Sequence, residues 1–119
     1  MSKQMAVYIY LPEQYNAVDG TLERKPVEEE KFAMTTSEIV QKYEACTWHG
    51  QNQGMWMHRG KLYSDRIRIL MVIADDTEDN RKWNKEYVKN VLIPRFEQIA
   101  ILMETVPHSM FELISAGTD

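Results

Sequence analysis

The clearest alternation of hydrophobic and polar positions runs from residue 65 to residue 106 and predicts a strand, a helix and a second strand in succession. In R-I-R-I-L-M-V-I, the residues Ile67, Ile69, Met71 and Ile73 alternate with Arg66, Arg68, Leu70 and Val72, which is the two-residue period of a strand over 65–74. One face is apolar throughout, while the other begins charged and ends apolar. Asp75-Asp76-Thr77 stops the strand and supplies side-chain oxygens for a helix cap, with Glu78 and Asp79 in the first turn where the helix dipole favours them. Trp83, Tyr87, Val88, Val91 and Leu92 recur at helical spacing opposite Arg81, Lys82, Lys85, Glu86 and Lys89, so a helix over 77–98 buries one stripe. Pro94 lacks the amide that would bond to the carbonyl of Asn90, and the helix either kinks there or restarts for a last turn over 95–98. Ile99, Ile101 and Met103 then alternate with Ala100, Leu102 and Glu104, predicting a strand over 99–106.

The upstream half repeats this order. Met5, Val7, Ile9 and Leu11 alternate with Ala6, Tyr8 and Tyr10 in a strand that Pro12 ends. Residues 13–25 have loop composition, with a turn at 18–21. Pro26 and Glu28-Glu29-Glu30 suit a helix start, and Phe32, Thr36, Ile39, Val40 and Tyr43 continue it, giving one helix over 27–44. Thr35 with Glu38 forms a capping box that would instead start it later. Cys46-Thr47-Trp48 opens a strand, residues 49–54 read as a polar loop, 55–58 as short and extended, and Arg59-Gly60 as a turn. Past Val106, Pro107 and His108 interrupt, residues 110–114 form a short edge piece and 115–119 are loose.

Strand, helix, strand with an extra hairpin, strand, helix, strand is the split β-α-β order of an α+β, ferredoxin-like domain. Its four-stranded antiparallel sheet carries both helices on one face, with the first and third strands central. If Val7, Ile9, Ile67, Ile69, Met71, Ile73, Ile99, Ile101 and Met103 lie under the helices, then Tyr8, Tyr10, Leu70, Val72, Leu102 and Val106 lie on the open face. An uncovered face that apolar is an interaction surface, and Tyr8, Tyr10, Leu70, Val72 and Leu102 are the expected interface of a homodimer.

Residues 35–106 resemble a family of small, functionally uncharacterised bacterial proteins with a ferredoxin-like fold. The matching pieces are Gly54-Met55-Trp56 as a G-x-W strand, the Gly60 turn, a strand ending in Ala74-Asp75-Asp76, and an Arg95-Phe96-x-Gln98 helix end running into the last strand. Pro94 within the second helix and the lack of an export signal depart from that family. The resemblance implies the fold and no particular activity, because fold does not fix function.

Composition narrows the classes further. The 119 residues read as one domain, 1–119, and the net charge of -4 argues against broad nucleic-acid binding, which needs a clustered positive field. The lone Cys46 cannot form an internal disulfide, M-S-K-Q-M-A has no apolar signal core, and no run approaches a membrane span, so the expected location is cytoplasmic.

Each candidate for chemistry has a plainer reading beside it. His49, His58 and Cys46 surround the Trp56 strand, but their spacing matches no zinc pattern, and neither a metal nor a cofactor is expected. Cys46 beside a histidine would make a nucleophilic pair, whereas a single cysteine opening a strand is ordinarily just buried. Asp65, Asp75, Asp76 and Asp79 would suit a cation, yet capping and solvent exposure account for them. Arg66 and Arg68 on the open face, with Trp56 and His58, are the candidate ligand-binding residues; no catalytic residue is identifiable. Three functions follow: a non-enzymatic homodimer with an interaction or small-ligand role, a dimeric α+β barrel enzyme acting on an apolar or aromatic substrate, and an RNA-binding sheet. The last lacks the K/R-G-F-x-F-V motif.

Overall fold

β1 (Gln4–Pro12) runs up the middle of the molecule and buries Met5, Val7, Ile9 and Leu11. We describe a computed structural model, which covers residues 3–17 and 24–117, the side chains of Gln51 and His58 excepted. After β1 come α1 (Glu29–Tyr43), β2 (Thr47–His58), β3 (Lys61–Asp75), α2 (Glu78–Tyr87) and β4 (Met103–Ser109). The four strands form one antiparallel sheet in the order β2-β3-β1-β4, so the first and third strands are central as the connection rules require. The turn expected at 18–21 lies outside the described residues.

Both helices pack on one face, where Phe32 and Ile39 of α1 and Tyr87 of α2 join the strand residues in one apolar cluster. Thr77 caps α2 by accepting from the amide of Asn80 at 3.1 Å. Thr35, offered by the sequence as an alternative cap, is instead buried inside α1, its hydroxyl donating to the carbonyl of Lys31. Beyond Tyr87 the helix widens into a π-helical turn over Val88–Leu92, in which the amide of Ile93 reaches back to the carbonyl of Val88, and closes with a short turn, α3 (Ile93–Arg95). The wide turn answers Pro94, whose ring would meet the carbonyl four residues back in a regular helix.

The face assignment of β3 is the reverse of the expected one. Val7 pairs with Val72 and Ile9 with Leu70, and directly opposed residues share a face, so Leu70 and Val72 lie under the helices. Leu70 is 0% exposed and neither residue belongs to an interface. Ile67, Ile69, Met71 and Ile73 take the open face with Tyr8, Tyr10 and Val106. Because β3 is apolar on both faces, its alternation carried no information about which face is covered.

Two other expectations are corrected. The polar stretch 49–54 is part of β2, with a bulge between His49 and Asn52, because ladder bonds to β3 need no apolar side chain. The last strand starts at Met103 rather than residue 99 and runs through Pro107 and His108, which an edge strand tolerates; 110–114 lie outside the sheet, and Ile99 is exposed.

β2 and β3 continue well past the end of β1. Pro12 is opposite Ile67, so every pair from Gln53 with Arg66 to His58 with Lys61 belongs to a two-stranded arm about 20 Å long. Arg59 (φ 50°) and Gly60 (φ 75°) close it in a two-residue turn. The arm explains extents of 58 × 30 × 24 Å and a radius of gyration of 16.5 Å, against about 13.5 Å for a compact domain of this length. No helix among the described residues is long and apolar enough to cross a membrane.

Candidate functional site

Arg68 is the most firmly held polar group on the sheet, and it sits on the helix side rather than the open face. It lies opposite Leu11, with its guanidinium over the Phe32 ring at 4.1 Å. Nε donates to Glu13 at 3.1 Å and Nη1 to Glu29 at 2.8 Å. Those bonds, Glu29's first, hold Arg68 charged more firmly than a free arginine. An arginine stacked on an aromatic and paired with two carboxylates is a packing residue despite its charge. Arg66, two residues earlier on the same face, is exposed and pairs in the ladder with Gln53. Its guanidinium makes no hydrogen bond or ion pair to a described residue.

Of the four candidate ligand-binding residues, the structure brings the two arginines together. They share a cleft of about 690 Å³ with Glu13, Gly50, Asn52 and Gln53, where β1 stops and the arm begins. Trp56 lies out along the arm, its ring stacked on Tyr63 at 4.5 Å and its indole N–H donating to Asp65 at 2.7 Å. Arg24 pairs with the same Asp65 at 2.6 Å. His58 ends β2 opposite Lys61, and its side chain lies outside the described residues.

A second hollow, of about 570 Å³, lies between α1 and α2. Trp83 stacks on Tyr87 at 4.8 Å and meets Tyr43 edge-on, while Lys42 sits over the Trp83 ring. A hydrogen-bonded network runs beside the hollow. Arg95 makes a two-pronged contact with Glu38 at 2.6 and 2.8 Å, Tyr87 donates to Glu38 at 2.6 Å, and Tyr43 donates to Asn84 at 2.6 Å. Arg95 and then Tyr87 hold the Glu38 carboxyl below the usual range. This network fixes one helix against the other.

Burial pushes the Tyr43 phenol up to about 12 from 10.0 and raises that of Tyr87, which Glu38 raises further. The folded chain therefore keeps two protons that the unfolded chain loses near the ordinary tyrosine value, and stability falls as pH climbs from 10.0 towards 12. Thermal melts over that range should show the decline, and Tyr43→Phe should make it shallower. An unchanged slope in the variant would contradict the assignment.

The remaining candidates have structural roles. Burial raises the Cys46 thiol, which opposes the thiolate a nucleophile needs. Asp76 is paired with Arg81 at 2.6 Å, and Asp65 is committed as above. No group of three or more His, Cys, Asp or Glu side chains among the described residues is placed to hold a metal ion. The sequence reading missed Glu13 and Glu29 as partners of Arg68. They are 55 and 39 residues away along the chain, beyond any local pattern.

Together, β1 and β3 at the centre, two helices on one side and an open opposite face define an α+β domain of the ferredoxin-like class. Among solved structures, the chain is similar in fold to CutA1 from Oryza sativa, at a TM-score of 0.64 and 12% identity over 93% of this chain and 84% of that one. It is likewise similar to the divalent cation tolerance protein of Thermus thermophilus (TM-score 0.63, 14% identity, 92% and 87% covered). A third is CutA from Xylella fastidiosa (TM-score 0.61, 11% identity, 93% and 88% covered). At these identities the likeness is one of fold alone. No protein family matches the sequence, and no curated protein does.

Proposed function

We propose that the chain is a homo-oligomeric interaction module, with a dimer as its smallest form, assembled through the open sheet face and the exposed apolar residues of the arm. The observation that carries this reading is the arm. A two-stranded ribbon is marginal in water on its own, yet this one presents Met55, Met57 and Leu62 at 62, 65 and 56% exposure. The open face is a second apolar surface, through Ile67, Ile69, Met71, Tyr8 and Tyr10 with Leu102 and Val106 at its far edge, while Met55, Met57 and Leu62 lie on the opposite side of the sheet. Beyond β4 lie Met110, Phe111, Leu113 and Ile114, all exposed and apolar. A second copy supplies a matching set of such surfaces at once, as symmetric association requires.

Light scattering on a size-exclusion column tests this directly. The expected mass is a multiple of the 14.0 kDa chain. Met57→Asp, in a side chain that is mostly exposed, should shift the mass towards a single chain without lowering helical content. A wild-type chain that elutes at 14.0 kDa at high micromolar concentration would overturn the proposal.

A further inference from the structure

We infer that the cleft at the base of the arm binds a small zwitterion of the α-amino acid class, with Arg66 taking the carboxylate and Glu13, Asn52 and Gln53 taking the ammonium group. The cleft, about 690 Å³, opens on the helix side of the sheet, away from Ile67, Ile69 and Met71 of the open face and on the same side as Met55, Met57 and Leu62 of the arm. Its walls are fixed. The amide of Glu13 donates to the carbonyl of Arg66 at 2.9 Å, which ties the end of β1 to β3. One Glu13 oxygen accepts from Arg68, and Glu29 and Phe32 hold that guanidinium in place. The bulge in β2 brings Gly50 and Asn52 to the rim.

What these walls leave unused defines the ligand. Arg68 is neutralised by its two carboxylates, whereas Arg66 has all its donors free of described residues, so a carboxylate can take two of them side by side. The acceptors show the converse. Asn52 donates from Nδ2 to the carbonyls of His49 and Gly50, and Gln53 donates from Nε2 to Ser64 Oγ. Both amides are thus oriented with their oxygens unpaired among the described residues. The second Glu13 oxygen adds a negative charge to that set. One free cation and three free acceptors among the described residues around one opening match a molecule carrying both a carboxylate and a nearby ammonium group.

The test is calorimetric titration of the full-length chain with each of the common L-amino acids in turn. For the tightest binder, the comparison adds its N-acetyl derivative, its decarboxylated amine and inorganic phosphate. Saturable binding is expected, falling about 10- to 100-fold in Arg66→Gln, the range for losing a charge-assisted pair. The N-acetyl acid and the amine should both bind more weakly than the parent. Binding unchanged in Arg66→Gln, equal binding of the N-acetyl acid, phosphate as the only ligand, or no binding by any amino acid would each overturn the assignment. Should Arg66→Gln fail to fold, the wild-type comparison of acid, amine and N-acetyl forms decides alone. Binding is read as heat and assembly as mass, so the failure of one proposal is distinguishable from the failure of the other.

Discussion

Leu70→Asp should abolish cooperative folding, while Ile69→Asp, one residue away, should leave a folded chain with altered association. Leu70 is 0% exposed and packs with Ile9, Phe32 and Phe96 in the apolar cluster under the helices. Truncating such a leucine to alanine costs about 2–5 kcal/mol, and a carboxylate there adds an unpaired buried charge. Against a total stability of about 5–15 kcal/mol, that change is expected to be fatal. Ile69 points the other way, opposite Tyr10 on β1 and His49 on β2. Circular dichroism melts and light scattering on both variants would settle the faces, and a folded Leu70→Asp beside an unfolded Ile69→Asp would invert the assignment.

The second large effect is expected at the end of the helical segment. Phe96 is 0% exposed and meets Phe32 edge-on at 5.2 Å, and Phe32 in turn meets Trp48 at 5.7 Å. The three rings join the last helical turn, α1 and the edge strand β2. Phe96→Ala should cost about 3–5 kcal/mol in urea unfolding, since the cavity lies between elements that cannot all close on it. A loss well under 1 kcal/mol would mean that this helix end is not seated in the core.

The order of elements was legible because each has a clean period and clear stops: the Asp-Asp-Thr boundary before α2, Pro12 after β1 and Arg59-Gly60 between β2 and β3. At the Arg95-Phe96-x-Gln98 helix end, Phe96 is seated in the core and Gln98 bonds the nearby carbonyl of Phe96. The faces of β3 were not legible. Arg66 and Arg68 read as markers of solvent, but arginine hides its stem and stacks its head, and the carboxylates that permit this come from Glu13 and Glu29. For the same reason the cleft could not be assembled in advance. Its cation was named, while the groups around it converge only once β1, α1 and the bulged β2 are placed in space.

The π-helical turn at Val88–Leu92 can also be read as surplus length. It holds one more residue than a regular turn, and Lys89 and Asn90 are exposed. Removing one of these would leave Trp83 and Tyr87 on one side, and Arg95 and Phe96 on the other, in their present phase. It would also return the ring of Pro94 to the path of a carbonyl that the wide turn now keeps clear. The insertion and the proline therefore form a linked pair of sequence changes. A lineage could discard both together, but losing the insertion alone would break the helix.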